Sequence, residues 1–140
     1  MKLTIVTIVC VVLINLISEA YGCTCLPGTD QERFCTATFV SRGKVTRIKH
    51  LNSIETEYTV AVDYNFKIKV PSTLKVRANR SSAACGVNFQ KGVVYLISGT
   101  VSKSRYRVTY LTNSCLWNQK WQSTKSDTQQ KLLSGQFNRC

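Results

Sequence analysis

The 140-residue chain holds one histidine and only seven acidic residues. Each scarcity removes a class of chemistry. With His50 alone, a two-histidine ribonuclease mechanism is excluded, although a basic, cysteine-rich chain would otherwise invite it. The H-E-x-x-H pattern of zinc proteases is absent. A Ser/His/Asp triad would have to use His50, which stands beside Lys49 in a polar stretch and reads as a solvated loop residue. Asp63 alternates onto the polar face of its strand without a nearby acidic partner. No repeat, low-complexity segment or interdomain linker interrupts the chain. These residues assemble no catalytic site, and elimination favours a binding or inhibitory protein.

Long apolar runs are also scarce. The segment from Leu3 to Leu16, broken by Thr4, Thr7 and Asn15, falls short of the roughly 20 residues a membrane span needs. Lys2 precedes it, and Ala20-Tyr21-Gly22 puts small residues three and one positions before a cut. The pattern reads as a secretory signal peptide over residues 1–22. A bacterial lipoprotein signal also ends at Cys, but Ala20 stands where that signal has Leu. Cleavage after Gly22 makes Cys23 the first residue of a 118-residue mature chain, long enough for one domain. Cys23 then carries a free α-amino group. An amine and a carbonyl on one rigid residue can chelate a metal.

Seven cysteines include Cys10, which leaves with the signal; Cys23, Cys25, Cys35, Cys85, Cys115 and Cys140 remain. An even count in a secreted chain reads as three disulfides, with fifteen possible pairings. A zinc site at Cys23 and Cys25 is the rival, but the C-x-C spacing, the scattered partners and an oxidising compartment argue against it. If all six are paired, no thiol nucleophile is left. The mature chain keeps 18 basic and 6 acidic residues, a net charge of +12. Such a surface attracts polyanions. For an extracellular protein, heparan sulfate or another matrix polyanion is expected before nucleic acid. The competing reading is that the charge only keeps the domain soluble.

Strand patterns outnumber helix patterns. From Ala37 the chain alternates through Phe39 to Ile48, with Gly43 marking a bulge or bend. Tyr58 to Val70 is the clearest strand, with Val60, Val62, Tyr64, Phe66, Ile68 and Val70 on one face and lysines on the other. Leu74–Ala78, the continuous apolar run Val93–Ile97, and Arg105–Leu111 complete about five strands. Asp30–Phe34 fits one helical turn. Ser126-Asp127-Thr128-Gln129 offers a capping-box start for a late helix carrying Leu132, Leu133 and Phe137, with Gly135 weakening its last turn. Five short strands with a terminal helix point to a mainly β protein, a small barrel such as the OB-fold. Asn79-Arg80-Ser81 is a glycosylation sequon on a surface loop.

Several blocks resemble the N-terminal, netrin-like (NTR) domain of the tissue inhibitors of metalloproteinases. They are Cys23-Thr24-Cys25-Leu26-Pro27; Cys35; Val40-Ser41-Arg42-Gly43-Lys44-Val45; Ser81-Ser82-Ala83-Ala84-Cys85-Gly86-Val87; Tyr95-Leu96-Ile97-Ser98-Gly99; and Cys115, Trp117 and Cys140. The resemblance covers essentially residues 23–140. It implies a five-stranded OB-like Greek-key barrel with flanking helices and the pairing Cys23–Cys85, Cys25–Cys115 and Cys35–Cys140. It also implies a monomeric secreted inhibitor with no cofactor of its own. By resemblance, the amine and carbonyl of Cys23 bind the catalytic zinc of the target protease. Thr24 enters the pocket just past the scissile bond, and Cys25, Leu26 and Pro27 continue along the primed side. Ala83, Ala84 and Cys85 complete the ridge.

Three departures limit the transfer. The sequence ends at Cys140, so functions of the second six-cysteine domain of vertebrate members are not carried over. Ala84 replaces a commonly larger apolar residue. A glycan on Asn79, six residues before Cys85, would crowd the ridge. The alternative function is a netrin-like module that binds matrix polyanions or a receptor without inhibiting a protease.

Overall fold

The computed structural model describes residues 1–18 and 22–140, with side chains left aside at 13–18. Five strands close into a ring: β1 (Phe39–His50), β2 (Glu55–Asn65), β3 (Thr73–Asn79), β4 (Val94–Ser104) and β5 (Arg107–Leu111). Their order is β1-β2-β3-β5-β4, and a β1–β4 pairing completes the circuit. All contacts are antiparallel except β3–β5. The two-residue β6 (Gln119–Lys120) adds to the outer side of β4. The helices are α1 (Lys2–Ser18), α2 (Asp30–Thr36) and α3 (Ser126–Leu133). Among the described residues, no helix is long and apolar enough to cross a membrane.

Successive strand residues face opposite sides of a sheet, and here both sides are buried along part of the ring. Phe39, Val45, Tyr58, Val60, Leu74, Val76 and Ile97 fill the barrel. Val40 and Leu96, their immediate neighbours in the chain, face outward against Phe34, Trp117, Leu132 and Phe137. That two-sided burial explains why Val93–Ile97 reads as a continuous apolar run. The strand itself continues to Ser104, because its second half pairs with β5 in a hairpin.

Gly43 marks a bulge, as its place in an alternating run suggested. The β1–β2 register shifts between Arg42 and Gly43. A Cβ there would lie 2.6 Å from both the Ala61 carbonyl oxygen and Val60 Cγ1.

The expected strand to Val70 ends at Asn65 instead. The Asn65 Oδ1 accepts from Ser41 Oγ at 2.8 Å and from the Val70 amide at 3.3 Å, pulling the chain into a turn. Phe66 and Val70 remain buried, while Tyr64 and Ile68 are exposed. The expected capping box at Ser126 is not formed. Ser126 is the first helical residue, and Lys125 before it offers no capping oxygen. The box lies on α2, where Thr29 and Glu32 cap each other. The Thr29 amide, and next its hydroxyl, hold the Glu32 carboxyl below the usual range. Gly135 ends α3 from the left-handed region, at φ 73°.

Lys67 also departs from expectation, since it does not face solvent. Its ammonium donates to the carbonyls of Phe34 and Cys35 at 3.0 Å, and to that of Ala37, closing the C-terminal end of α2. Burial lowers its pKa from the ordinary lysine value, whereas the three carbonyls favour its charged form. Lys67→Met should therefore lower unfolding free energy by about 1–3 kcal/mol, the cost of orphaned acceptors. Lys69→Met, at an exposed position, should leave the denaturation midpoint nearly unchanged. Equal midpoints for the two variants would remove the capping role.

Candidate functional site: a disulfide-fastened N-terminal edge

Three segments without regular strand pairing meet at one edge of the barrel. The first is Cys23–Gly28, which leads into α2. The second is the β3–β4 connection, where Ser82–Ala84 makes one 3-10 turn and Cys85 takes a left-handed conformation at φ 57°. The third follows β5 and carries Ser114 and Cys115. Disulfides Cys23–Cys85 and Cys25–Cys115 tie the first segment to the other two, with Cα separations of 5.0 and 5.1 Å. The Ser114 amide donates to the Cys85 carbonyl at 2.9 Å, joining the second to the third.

The two disulfides touch. Cys23 Sγ lies 3.7 Å from Cys115 Sγ, and Cys85 Sγ lies 3.7 Å from Cys115 Sγ. The sulfurs of Cys23, Cys25 and Cys115 fall within 4.8 Å of one another. This cluster is not a zinc site of the domain, because each sulfur is in a disulfide and offers no thiolate. The third bridge, Cys35–Cys140, lies apart and fastens α2 to the C-terminal segment. There Phe34 and Phe137 rings sit 5.7 Å apart, and Gln31 Nε2 donates to the Phe137 carbonyl at 2.8 Å. All three pairs are those the resemblance implied.

Between its two tethers the N-terminal segment faces outward. Cys23 is half-buried, and Thr24, Cys25 and Pro27 are exposed. Leu26 is 94% exposed, an unusual position for leucine. Ala83 and Ala84 are exposed beside Cys85. The residues expected in the ridge, Cys23 to Pro27 and Ala83 to Cys85, are thus brought together across some 60 positions of sequence. A cleft of about 630 Å³ lies under the segment, bounded by Thr24, Leu26, Arg33, Thr36, Thr100 and Leu116.

The edge also uses residues that sequence reading passed over. Tyr58 Oη donates to the Val87 carbonyl at 2.9 Å, and Tyr95 Oη accepts from the Gln90 amide at 2.9 Å. The two rings flank Phe89, with centroids 5.0 and 4.8 Å away. They hold the connection that follows Cys85. Burial raises the Tyr58 pKa above the ordinary tyrosine value. Gly86 packs so closely on the Asn79–Ser81 backbone that a Cβ would meet the Asn79 carbonyl oxygen and lie 2.7 Å from that of Ser81. The Asn79 Oδ1 of the sequon accepts from the Ser81 amide at 2.9 Å. His50 lies at the end of β1, exposed, with Nδ1 2.9 Å from Thr56 Oγ1. Asp63 accepts from Arg42 at 2.8 Å. Asp63 stays apart from the edge, whereas His50 lines a cleft with Ser82, Gly86 and Val87 of the β3–β4 connection.

A closed five-stranded barrel with an N-terminal segment fastened by two disulfides to neighbouring loops defines an OB-like, netrin-type domain. A family profile described as "Tissue inhibitor of metalloproteinase" matches residues 21–140. The chain belongs to that family, which is one of protease inhibitors and not of enzymes. It is 32% identical over 139 residues to an "NTR domain-containing protein" of Margaritifera margaritifera, covering 92% of this chain and 89% of that protein. It is 32% identical over 114 residues to "Metalloproteinase inhibitor 3" of Gallus gallus, covering 76% of this chain and 50% of that protein. A third relative, "Uncharacterized shell protein 1" of Margaritifera margaritifera, is 29% identical over 115 residues, covering 79% of this chain and 76% of that protein.

Proposed function

We propose that this protein is a secreted inhibitor of zinc metalloproteinases that acts through its N-terminal edge once residues 1–22 are removed. The observation that supports it most is the fastening of an exposed Cys23-Thr24-Cys25 by two adjacent disulfides beside Ala83–Cys85. A catalytic zinc keeps an open position, normally held by water. Cys23 offers an amine and a carbonyl oxygen on one residue, closing a five-membered chelate on the target's zinc. In the uncleaved chain that nitrogen is an amide bonded to Gly22 and has no lone pair to give. The disulfides hold the wedge in place before binding, so little ordering remains to oppose association. The direct test is inhibition of a panel of zinc metalloproteinases by protein verified to start at Cys23. Absence of inhibition across the panel removes the reading.

Thr24 lies exposed between the two tethers and touches no core cluster. Thr24→Gly should weaken inhibition of most targets by about tenfold, roughly 1.4 kcal/mol, with the thermal midpoint nearly unchanged. Unchanged inhibition constants would remove Thr24 from the specificity contact. A large fall in midpoint would make its role structural.

A second reading is a netrin-like module that binds matrix polyanions. The net charge of +12 supports the polyanion binding, and a relative described as an NTR domain-containing protein, with no inhibitory activity in its name, fits a netrin-like module. Unlike the inhibitory reading, it does not require a free amine on Cys23 and would tolerate an extra residue before it.

A further inference from the structure

From Tyr64 to Ser126 the chain contains no acidic residue, while it contains eleven lysines and arginines. The strands β3, β4 and β5 therefore carry no counter-charge of their own. The far end of the β4–β5 hairpin concentrates this excess. The β3–β5 pairing is confined to Val76–Tyr110 and Arg77–Leu111, so the ribbon leaves the barrel beyond that point. Residues 102–108 are all exposed. Among them Lys103, Arg105 and Arg107 make no ion pair with a described residue, and Tyr106 is 91% exposed.

The register sets how these charges are presented. Lys103 pairs with Val108, and Ser104 with Arg107. Adjacent pairs point to opposite faces of a two-stranded ribbon. Lys103 and Arg107 thus lie on opposite faces, with Arg105 and Tyr106 in the turn between them. A flexible anionic chain draped over the tip meets a cation on either face and one at the apex. The outer face of β1–β3 is the competing basic surface. It carries Lys44, Arg47, Lys49 and Lys75, but it also carries Glu57, which Arg77 already engages, and Asp63, which Arg42 engages. Along β5, Arg107 precedes Leu111 by four residues, about 13 Å of strand. Cys115 follows Leu111, so the tip stands well away from the disulfide edge.

We propose that the hairpin tip, through Lys103, Arg105 and Arg107, is the main docking point for a sulfated polysaccharide. This rests on the polyanion-binding reading and places its site. A single aromatic and a half-exposed Val108 offer little apolar area to enter a lipid interface, which favours a polysaccharide over a membrane.

The experiment compares full-length mature protein with two variants that lose the same charge. One is Lys103→Gln/Arg105→Gln/Arg107→Gln. The other is Lys44→Gln/Arg47→Gln/Lys75→Gln. Heparin affinity is measured across a salt series, with folding checked by circular dichroism. The hairpin variant should bind about tenfold more weakly, and its affinity should depend less on salt, because exposed charges are screened over about 10 Å at 0.1 M. The sheet-face variant should change by less than about threefold, the effect of net charge alone. Equal losses in the two variants would overturn the hairpin site and leave a diffuse attraction. No retention of the unmodified protein would overturn the polyanion reading itself. Binding to phosphatidylserine vesicles without binding to heparin would overturn the choice of polysaccharide.

Discussion

One alanine added before Cys23 should abolish inhibition of zinc metalloproteinases while the domain stays folded. The α-amine becomes an amide, so one of the two donors that Cys23 offers is lost, and the added residue occupies the space of the metal. An increase in the inhibition constant on the order of a thousandfold is expected, about 4 kcal/mol. The thermal midpoint should hold, because both tethers, Cys23–Cys85 and Cys25–Cys115, remain. The same chemistry sets a pH dependence with a definite sign. A free α-amine titrates at about 7.7–8.0, and only its neutral form has a lone pair to give. The free inhibitor therefore binds more protons than the complex, and affinity falls as pH drops below about 8. Full inhibition by the extended protein, its N-terminus confirmed by sequencing, would remove the chelation mechanism and leave the netrin-like binding reading in its place.

Gly86→Ala should damage the edge from behind. Its added methyl would meet the carbonyl oxygens of Asn79 and Ser81, which are backbone atoms and cannot rotate away. The chain must shift, and the residue beside it is Cys85, which holds Cys23. Overfilling of this kind costs about 1–3 kcal/mol. A misplacement near 1 Å at a reacting group costs on the order of 10²-fold, and inhibition should fall by that amount. Both effects should appear with all three disulfides intact by mass mapping. A variant with unchanged inhibition would show that the Cys85 loop does not set the position of Cys23.

Much of the fold is legible in the sequence because local rules governed it. Alternation marked the strands from Phe39 and Tyr58, and a glycine inside a strand marked the bulge at Gly43. The reading failed where a distant group intervened. Asn65 ends β2 because its side chain reaches Ser41 and the Val70 amide, contacts that no strand pattern encodes. Lys67 sits on the polar side of an alternating pattern, yet it turns to the end of α2, because three carbonyls there lack donors. The late helix was found without its cap, since Ser126 is inside the first turn and not before it.

By itself the sequence determined a mainly β fold, six cysteines besides Cys10 fit for three bridges, and a strong positive charge. Those follow from composition, period and spacing, which are properties of the chain alone. Cysteine spacing left fifteen pairings open, and only resemblance chose one. The tertiary structure decided that Cys23 and Cys25 bridge to two different loops whose sulfurs touch, leaving Thr24 and Leu26 facing outward. It also decided which charges remain free, because ion pairing and carbonyl capping depend on what the closed barrel brings within hydrogen-bond reach.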